Sequence, residues 1–455
     1  MSAPSSPRNT LRLIAYGLPA LPITMLLAPL YVYLPTFYAQ EAGLSLTMAG
    51  FVFFAARLWD GLIDPVIGGL SDRTRSRFGA RRPWIVAGAP VLMIATYFAC
   101  MPPEDAGPFY LFAWLVVLYA ALTMVQVPHW AWGAEISGDY RERNRVAGFR
   151  ESFVIFGALL AAVAPLAVLG TGGATLGDTL RVYAFCVMIL TPLAIGTAMA
   201  FGAREQSGAK AGTPITWRGA LRSFTSNPPF RRFMLGHFGM SLGYSSFNSL
   251  MVLFVDYGLG LQGMFLQFLF FKQITAILCI PIVLRLARIM DKHKLLWGGG
   301  VVLALGLCFL YLMPSGSLVW AAFGAALIGV ASAPLVTLAP SLLADVADYG
   351  AVQSKETHTG AYYAVFGMAQ KVAYALGVAI GLSLLDLSPF DPQSFGESSA
   401  SAVRRVALIL PIGIILVSAL AFIRFPIDKA RHDAIKKTLA DMGMGPKTAA
   451  AQDQA

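Results

Sequence analysis

Residues 46–82 read LTMAGFVFFAARLWDGLIDPVIGGLSDRTRSRFGARR. The part from 46 to 70 is apolar and long enough to cross a bilayer, which takes about 20 residues at 1.5 Å rise each. It nevertheless holds Arg57, Asp60 and Asp64. Directly after it, 71–82 carries five Arg. A span with charges inside and a basic exit suggests a polytopic α-helical membrane protein with an aqueous interior.

The rest of the chain agrees. Of its 455 residues, 57% are hydrophobic and only 13% charged, against roughly 25% charged in soluble proteins. That excludes a soluble enzyme of ordinary surface and an intrinsically disordered chain. The apolar runs are continuous rather than alternating, which excludes a β-barrel. Twelve such runs are read, at 11–38, 46–70, 83–101, 109–135, 147–169, 180–202, 231–256, 262–288, 295–313, 317–343, 358–385 and 404–425. The first is too long for a signal-peptide core and is expected to stay as a membrane helix. Cys100, Cys186, Cys279 and Cys308 all fall in apolar runs, without Cys-x-x-Cys. They are expected to be small core residues rather than disulfide or zinc ligands.

The connections alternate. Those at 40–45, 101–108, 170–179, 257–261, 313–317 and 388–402 are almost free of Lys and Arg, whereas 71–82, 139–145, 204–232 and 285–294 are basic. By the positive-inside rule both termini are cytoplasmic, in what is expected to be a bacterial inner membrane. The net charge of +10 then forms a rim facing anionic lipid headgroups, not a nucleic-acid site. The long connection near the midpoint divides the chain into a six-helix bundle (1–202), a cytoplasmic linker (203–230), a second six-helix bundle (231–425) and a tail (426–455). Within the tail, 429–443 reads as a short amphipathic helix, followed by disorder. A weak repeat supports two similar halves: GGLSDRTRSRFGARR at 68–82 and RLARIMDKHK at 285–294. Asp72 with Arg73, and Asp291 with Lys292, are candidates for a conformational gate latching helix ends. Paired halves around a central cavity suit a secondary transporter.

An Asp at a helix centre costs about 2.5–3.5 kcal/mol on insertion scales, so the charges inside spans mark sites. Arg57, Asp60 and Asp64 are spaced three and four apart and share one helical face. Two acids and one Arg leave a charge over, which a bound cation or proton would balance. Pro65 frees the Gly61 carbonyl beside them, and glycines 61, 68 and 69 allow close helix approach. In span 11, Tyr363, Gly367, Lys371 and Tyr374 form a stripe, and its Lys faces either those acids or the substrate. Lys272 in span 8 is a further candidate. In span 4, Thr123, Gln126 and Trp130 share a face, with Trp130 a platform for a sugar or another amphipathic solute. Trp132 reads as an interfacial anchor and His129 as a pore-facing donor. In span 7, Tyr244, Ser245, Ser246 and Asn248 read as wall residues. His129 and His358 each stand alone, so no catalytic cluster, enzyme activity or cofactor is expected.

The segments 57–85 (RLWDGLIDPVIGGLSDRTRSRFGARRPWI), 127–150 (VPHWAWGAEISGDYRERNRVAGFR) and 342–377 (LLADVADYGAVQSKETHTGAYYAVFGMAQKVAYALG) resemble the glycoside–pentoside–hexuronide:cation symporters, the melibiose-permease-like family of the major facilitator superfamily. The specific motif is Trp-Asp-x-x-x-Asp-Pro. The resemblance implies an all-α fold of twelve transmembrane helices in two pseudo-symmetric bundles; a monomer is the expected working unit. The resemblance places the coupling cation on Asp60, Asp64 and Thr123, and the substrate on Gln126, Trp130, Arg150 and Lys371; Arg57 and Tyr374, on the same helical faces, are further candidates for the substrate. The family's sodium-site asparagine is Ile63 here, which favours H+ over Na+, although Na+ at Asp60 and Asp64 stays open. A sugar-binding Lys–Asp pair falls on Ile23 and Thr24, and a sugar-binding Asp on Gln126. The implied function is cation-coupled symport of a glycoside. Animal lysophospholipid symporters are similar too, so an amphiphile substrate or an uncoupled uniporter remains the alternative.

Overall fold

The structure, a computed structural model, describes residues 7–136, 140–170, 175–202, 226–355, 359–392 and 395–442. The 203–225 part of the expected linker, His358 and the tail after 442 lie outside the described residues.

Twelve helices among the described residues are long and apolar enough to span a membrane. They are α1 (Thr10–Gln40), α2 (Leu46–Arg73), α3 (Arg82–Cys100), α4 (Pro108–Gly133), α5 (Arg145–Leu169) and α6 (Leu176–Phe201), then α7 (Pro228–Gly258), α8 (Phe265–Ile289), α9 (Lys292–Leu312), α10 (Leu318–Ser354), α11 (Thr359–Asp386) and α12 (Glu397–Phe422). A last helix, α13 (Lys429–Asp441), follows. Local signals set the ends. Ser45, Thr175 and Asn227 cap α2, α6 and α7 by accepting a backbone N–H from three residues on, which satisfies donors that a helix start leaves open. Hydropathy ended span 10 at 343, whereas α10 runs to Ser354. Its last turns are amphipathic and emerge beyond the apolar layer, where α13 packs on them. Ile435 and Leu439 of α13 are buried there, so this part of the tail is docked rather than solvated.

Packing repeats between halves. In the first half α1 packs on α5 and α6, α4 on α2 and α3, and α3 on α6. In the second, α7 packs on α11 and α12, α10 on α8 and α9, and α9 on α12. Each contact reappears six helices later. One device repeats as well. A Cβ on Gly157 of α5 would lie 2.5 Å from the Leu21 carbonyl of α1, and one on Gly377 of α11 would lie 2.6 Å from the Leu242 carbonyl of α7. Neither backbone can approach its partner so closely with a side chain between them.

The halves meet through α2–α11, α5–α8 and α1–α7. Their hydrogen bonds lie mid-depth or on the side away from the termini: Thr47 to Asp386, Thr36 to the Ser249 carbonyl and Gln40 to Tyr257. On the termini side, Trp130 is 48% exposed and Val336 68%. The centre is therefore closed on the far side and open toward the termini. Cys100 is buried and Cys186 and Cys279 are half-buried, but Cys308 is exposed, correcting its core assignment. It lies on an outward face of α9, where a small apolar side chain meets lipid at no cost.

Candidate functional site

The α2 face reads as its spacing requires. Arg57 and Asp60 are buried, and Arg57 Nη1 donates to Asp60 Oδ2 at 2.8 Å. The guanidinium lies 4.8 Å from the ring centres of both Tyr31 and Tyr119. Such cation–π contacts suit a cation that has lost its water. From α4, Thr123 Oγ1 lies 2.9 Å from Asp64 Oδ1 and 3.4 Å from Asp60 Oδ1. From α11, across the junction of the halves, Lys371 Nζ lies 2.9 Å from Asp60 Oδ2 and 2.6 Å from Asp64 Oδ2. Two acids therefore face two cations. The leftover charge inferred from α2 alone does not exist, because α11 supplies the balancing ammonium. The Asp60 side chain is 2% exposed but that of Asp64 is 32%, so water reaches the pair through Asp64.

The site residues divide into three groups. Asp60, Asp64, Thr123, Arg57 and Lys371 form one cluster. Arg57 is enclosed by it and by tyrosine rings, which removes it from the cavity wall and corrects its placement on the substrate. Lys371 faces the acids, resolving the choice left open by its stripe. Tyr374 lines a cavity of about 170 Å³ in the second half, with Tyr244, Ser241 and Phe366. Its ring is 5.5 Å from that of Tyr31. Gln126 is half-buried one turn beyond Thr123. Trp130 is exposed at the open end of α4, with the Arg150 guanidinium 5.9 Å from its ring centre and paired to Glu151.

Other expectations change. Trp132 is fully buried against Tyr16, with Arg82 5.0 Å from its ring centre. It is a core residue, not an interfacial anchor. His129 is also buried, with Nε2 2.7 Å from the Tyr16 carbonyl, so it is not pore-facing. Both follow from α4 packing its far side on α1. Ser246 is fully buried and Ser245 donates to the Tyr374 carbonyl at 2.8 Å. These serines sit in the α7–α11 seam, which leaves Tyr244 as the wall residue. Asn248 is also buried and accepts a hydrogen bond from Lys272 Nζ.

The gate pairs are rearranged. Adjacent residues on a helix do not face one another. Asp72 pairs with Arg81, not Arg73, and Arg73 is exposed. Arg81 also donates from Nη2 to Glu135 at 2.7 Å and from Nη1 to Ser71 at 2.9 Å. Burial works against its charge, but hydrogen bonds to Glu135 and Asp72 outweigh that and raise its pKa. In the second half Lys292 pairs with Asp345 at 2.7 Å. Asp291 pairs with Lys294 at 2.8 Å and accepts the Lys429 N–H at 3.1 Å. The Lys294 hydrogen bond, then that N–H, hold its carboxyl below the usual range. Arg81, Glu135 and Asp345 were missed as partners; all three lie in the quoted motifs, but their pairing is non-local. Among the described residues no three His, Cys, Asp or Glu side chains form a metal-sized group.

The family described as MFS/sugar transport protein matches residues 15–429. The chain belongs to this family. Among curated relatives, the inner membrane symporter YicJ of Escherichia coli is 24% identical, covering 90% of each chain. The symporter YnaJ of Bacillus subtilis is 24% identical over 91% of each chain. A sodium-dependent lysophosphatidylcholine symporter, 1-B of Danio rerio, is 24% identical over 86% of this chain and 82% of its own. Solved structures share the fold. A bacterial homologue of the human lysosomal transporter Spinster superposes with TM-score 0.63 at 14% identity, covering 96% of this chain and 99% of its own. A family member with twelve membrane helices is an integral membrane transporter of small molecules, with the major facilitator fold. Its relatives and structural neighbours are membrane transporters too, not enzymes.

Proposed function

We propose that this chain is a cation-coupled symporter working by alternating access, with the cation on Asp60 and Asp64 and the solute in the central cavity. The observation that carries this reading is Lys371. It belongs to one half and occupies both acids of the other. A proton or Na+ arriving at those acids competes with the Lys371 ammonium, so ion occupancy changes how the halves attract each other. Coupling requires such a differential interaction between states. The proton is the first choice because Ile63 supplies no oxygen and because protonating Asp64 alone releases one arm of the bridge. Sodium is the second, supported by sodium-dependent relatives. Under the positive-inside rule the termini are cytoplasmic, and the open side then faces the cytoplasm.

A glycoside is the first solute reading, supported by the family description and by Trp130 beside Gln126 on the open face of α4. An amphiphile is the second, favoured by the uncharged Ile23 and Thr24 and by relatives that carry lysophosphatidylcholine. An uncoupled uniporter would ignore imposed gradients. The protein is proposed to act as a monomer, in a bacterial inner membrane, with anionic lipids against its basic rim. Uptake by reconstituted vesicles under an imposed proton or sodium gradient tests the reading. Gradient-driven uptake that Asp64→Asn abolishes is expected; uptake indifferent to both gradients in wild type and variant overturns coupling.

A further inference from the structure

Lys272 of α8 differs from the other buried cations. It is 4% exposed. Its Nζ donates to Asn248 Oδ1 at 2.5 Å and sits 5.6 Å from the Tyr244 ring centre. Among the described residues no carboxylate pairs with it, whereas Arg57 has Asp60, Arg81 has Glu135, and Lys371 has both acids. An ammonium carries three donors and Asn248 takes one. Burying an unpaired charge is costly, and an apolar side chain would suit an α8 position facing α7 at no such cost.

Its surroundings give that charge an address. Tyr244, which carries the ammonium on its ring, also lines the cavity of about 170 Å³ with Ser241, Phe366 and Tyr374. Tyr374 in turn meets Tyr31 at a tilt, ring centres 5.5 Å apart, and Arg57 rests on the Tyr31 ring. The tyrosine-lined wall is thus backed by positive charge. The central cluster is neutral, with Arg57 and Lys371 against Asp60 and Asp64, so Lys272 leaves the centre one positive charge in excess. Electrostatic attraction of this kind weakens slowly with distance in a low-dielectric interior.

We propose that the second-half cavity is a subsite for an acidic group of the solute, a carboxylate or a phosphate, with Lys272 as its specificity-determining charge. This rests on the symport reading and narrows it: the cargo is an organic anion whose remaining body lies against Phe366, Leu335 and Val336. A uronide of a glycoside and the phosphate of a lysolipid share that chemistry.

The test uses the full chain in nanodiscs and two matched pairs of ligands. One pair is phenyl glucoside and phenyl glucuronide; the other is monoacylglycerol and lysophosphatidic acid. Binding by thermal shift and by titration calorimetry is expected to favour the acidic member of one pair by about tenfold, or 1.4 kcal/mol. Which pair responds identifies the source of the acid. Lys272→Met and Lys272→Gln are expected to bring the acidic-to-neutral ratio to about one, and Lys272→Arg to keep it. No acidic preference in either pair overturns the proposal, as does a preference that survives both Met and Gln. Gradient-driven uptake of a neutral ligand would leave symport standing while the subsite fails. Lys272-dependent anion binding without any gradient response would do the reverse.

Discussion

Helices α2 and α8 occupy equivalent places in the two halves, and both carry charge into the apolar layer. They deal with it differently. On α2, Arg57, Asp60 and Asp64 close onto one another, onto Thr123 and onto Lys371 of the opposite half. On α8, Lys272 stands on an amide and an aromatic ring, and among the described residues no acid pairs with it. Pseudo-symmetry thus extends to the backbone but not to the chemistry. In the proposed symport, a charge cluster that spans the two halves is what would sense an ion and report it to the junction. An unmatched charge within one half can only attract something from outside.

The largest break in that contrast should come from Asp60→Ala. It strands the buried Arg57, while Lys371 keeps Asp64, and removing one partner of a buried pair costs about 3–5 kcal/mol. Denaturation in detergent is expected to show that loss, and a change below about 1 kcal/mol would mean the cluster is not interlocked. Next come Gly157→Leu and Gly377→Leu, each forcing a side chain onto a carbonyl about 2.5 Å away. The expected loss is about 1–3 kcal/mol or more, and of equal size in the two halves. Unequal losses would show that the backbone symmetry is not shared by the packing energies.

Asp64→Asn should separate function from stability. Its side chain is 32% exposed, so the expected loss is only about 1–2 kcal/mol, while gradient-driven uptake disappears. Adding Lys371→Met should restore part of the stability, because Arg57 and Lys371 then no longer share Asp60 as their one acid. The smallest effect belongs outside the membrane. Asp348 faces His432 of α13 at hydrogen-bond distance, 3.3 Å, and its side chain is 38% exposed, where a polar contact is worth at most about 1 kcal/mol. Asp348→Asn should speed hydrogen exchange in 429–441 and leave global unfolding almost unchanged.

Local pattern made much of this legible. Bilayer-length apolar runs gave twelve helices because a chain in lipid must satisfy its backbone internally, and two ends were misjudged by more than a few residues: α10 runs on to Ser354 rather than 343, and α12 starts at Glu397 rather than 404. Three- and four-residue spacings placed Arg57 beside Asp60, and Thr123 on the face of α4 that meets the acids. The misreadings concern partners distant in the chain. Trp132 and His129 look like surface groups until α1 is packed against them, and Asp72 looks committed to Arg73 until Arg81 folds back. Sequence alone determined the class, the number of helices and the acids at the centre, because the cost of placing polar groups in lipid acts on each segment separately. Only the tertiary structure decided that the acids are balanced by Lys371 and that Lys272 is not, because a charge balance is a property of side chains that meet from different helices.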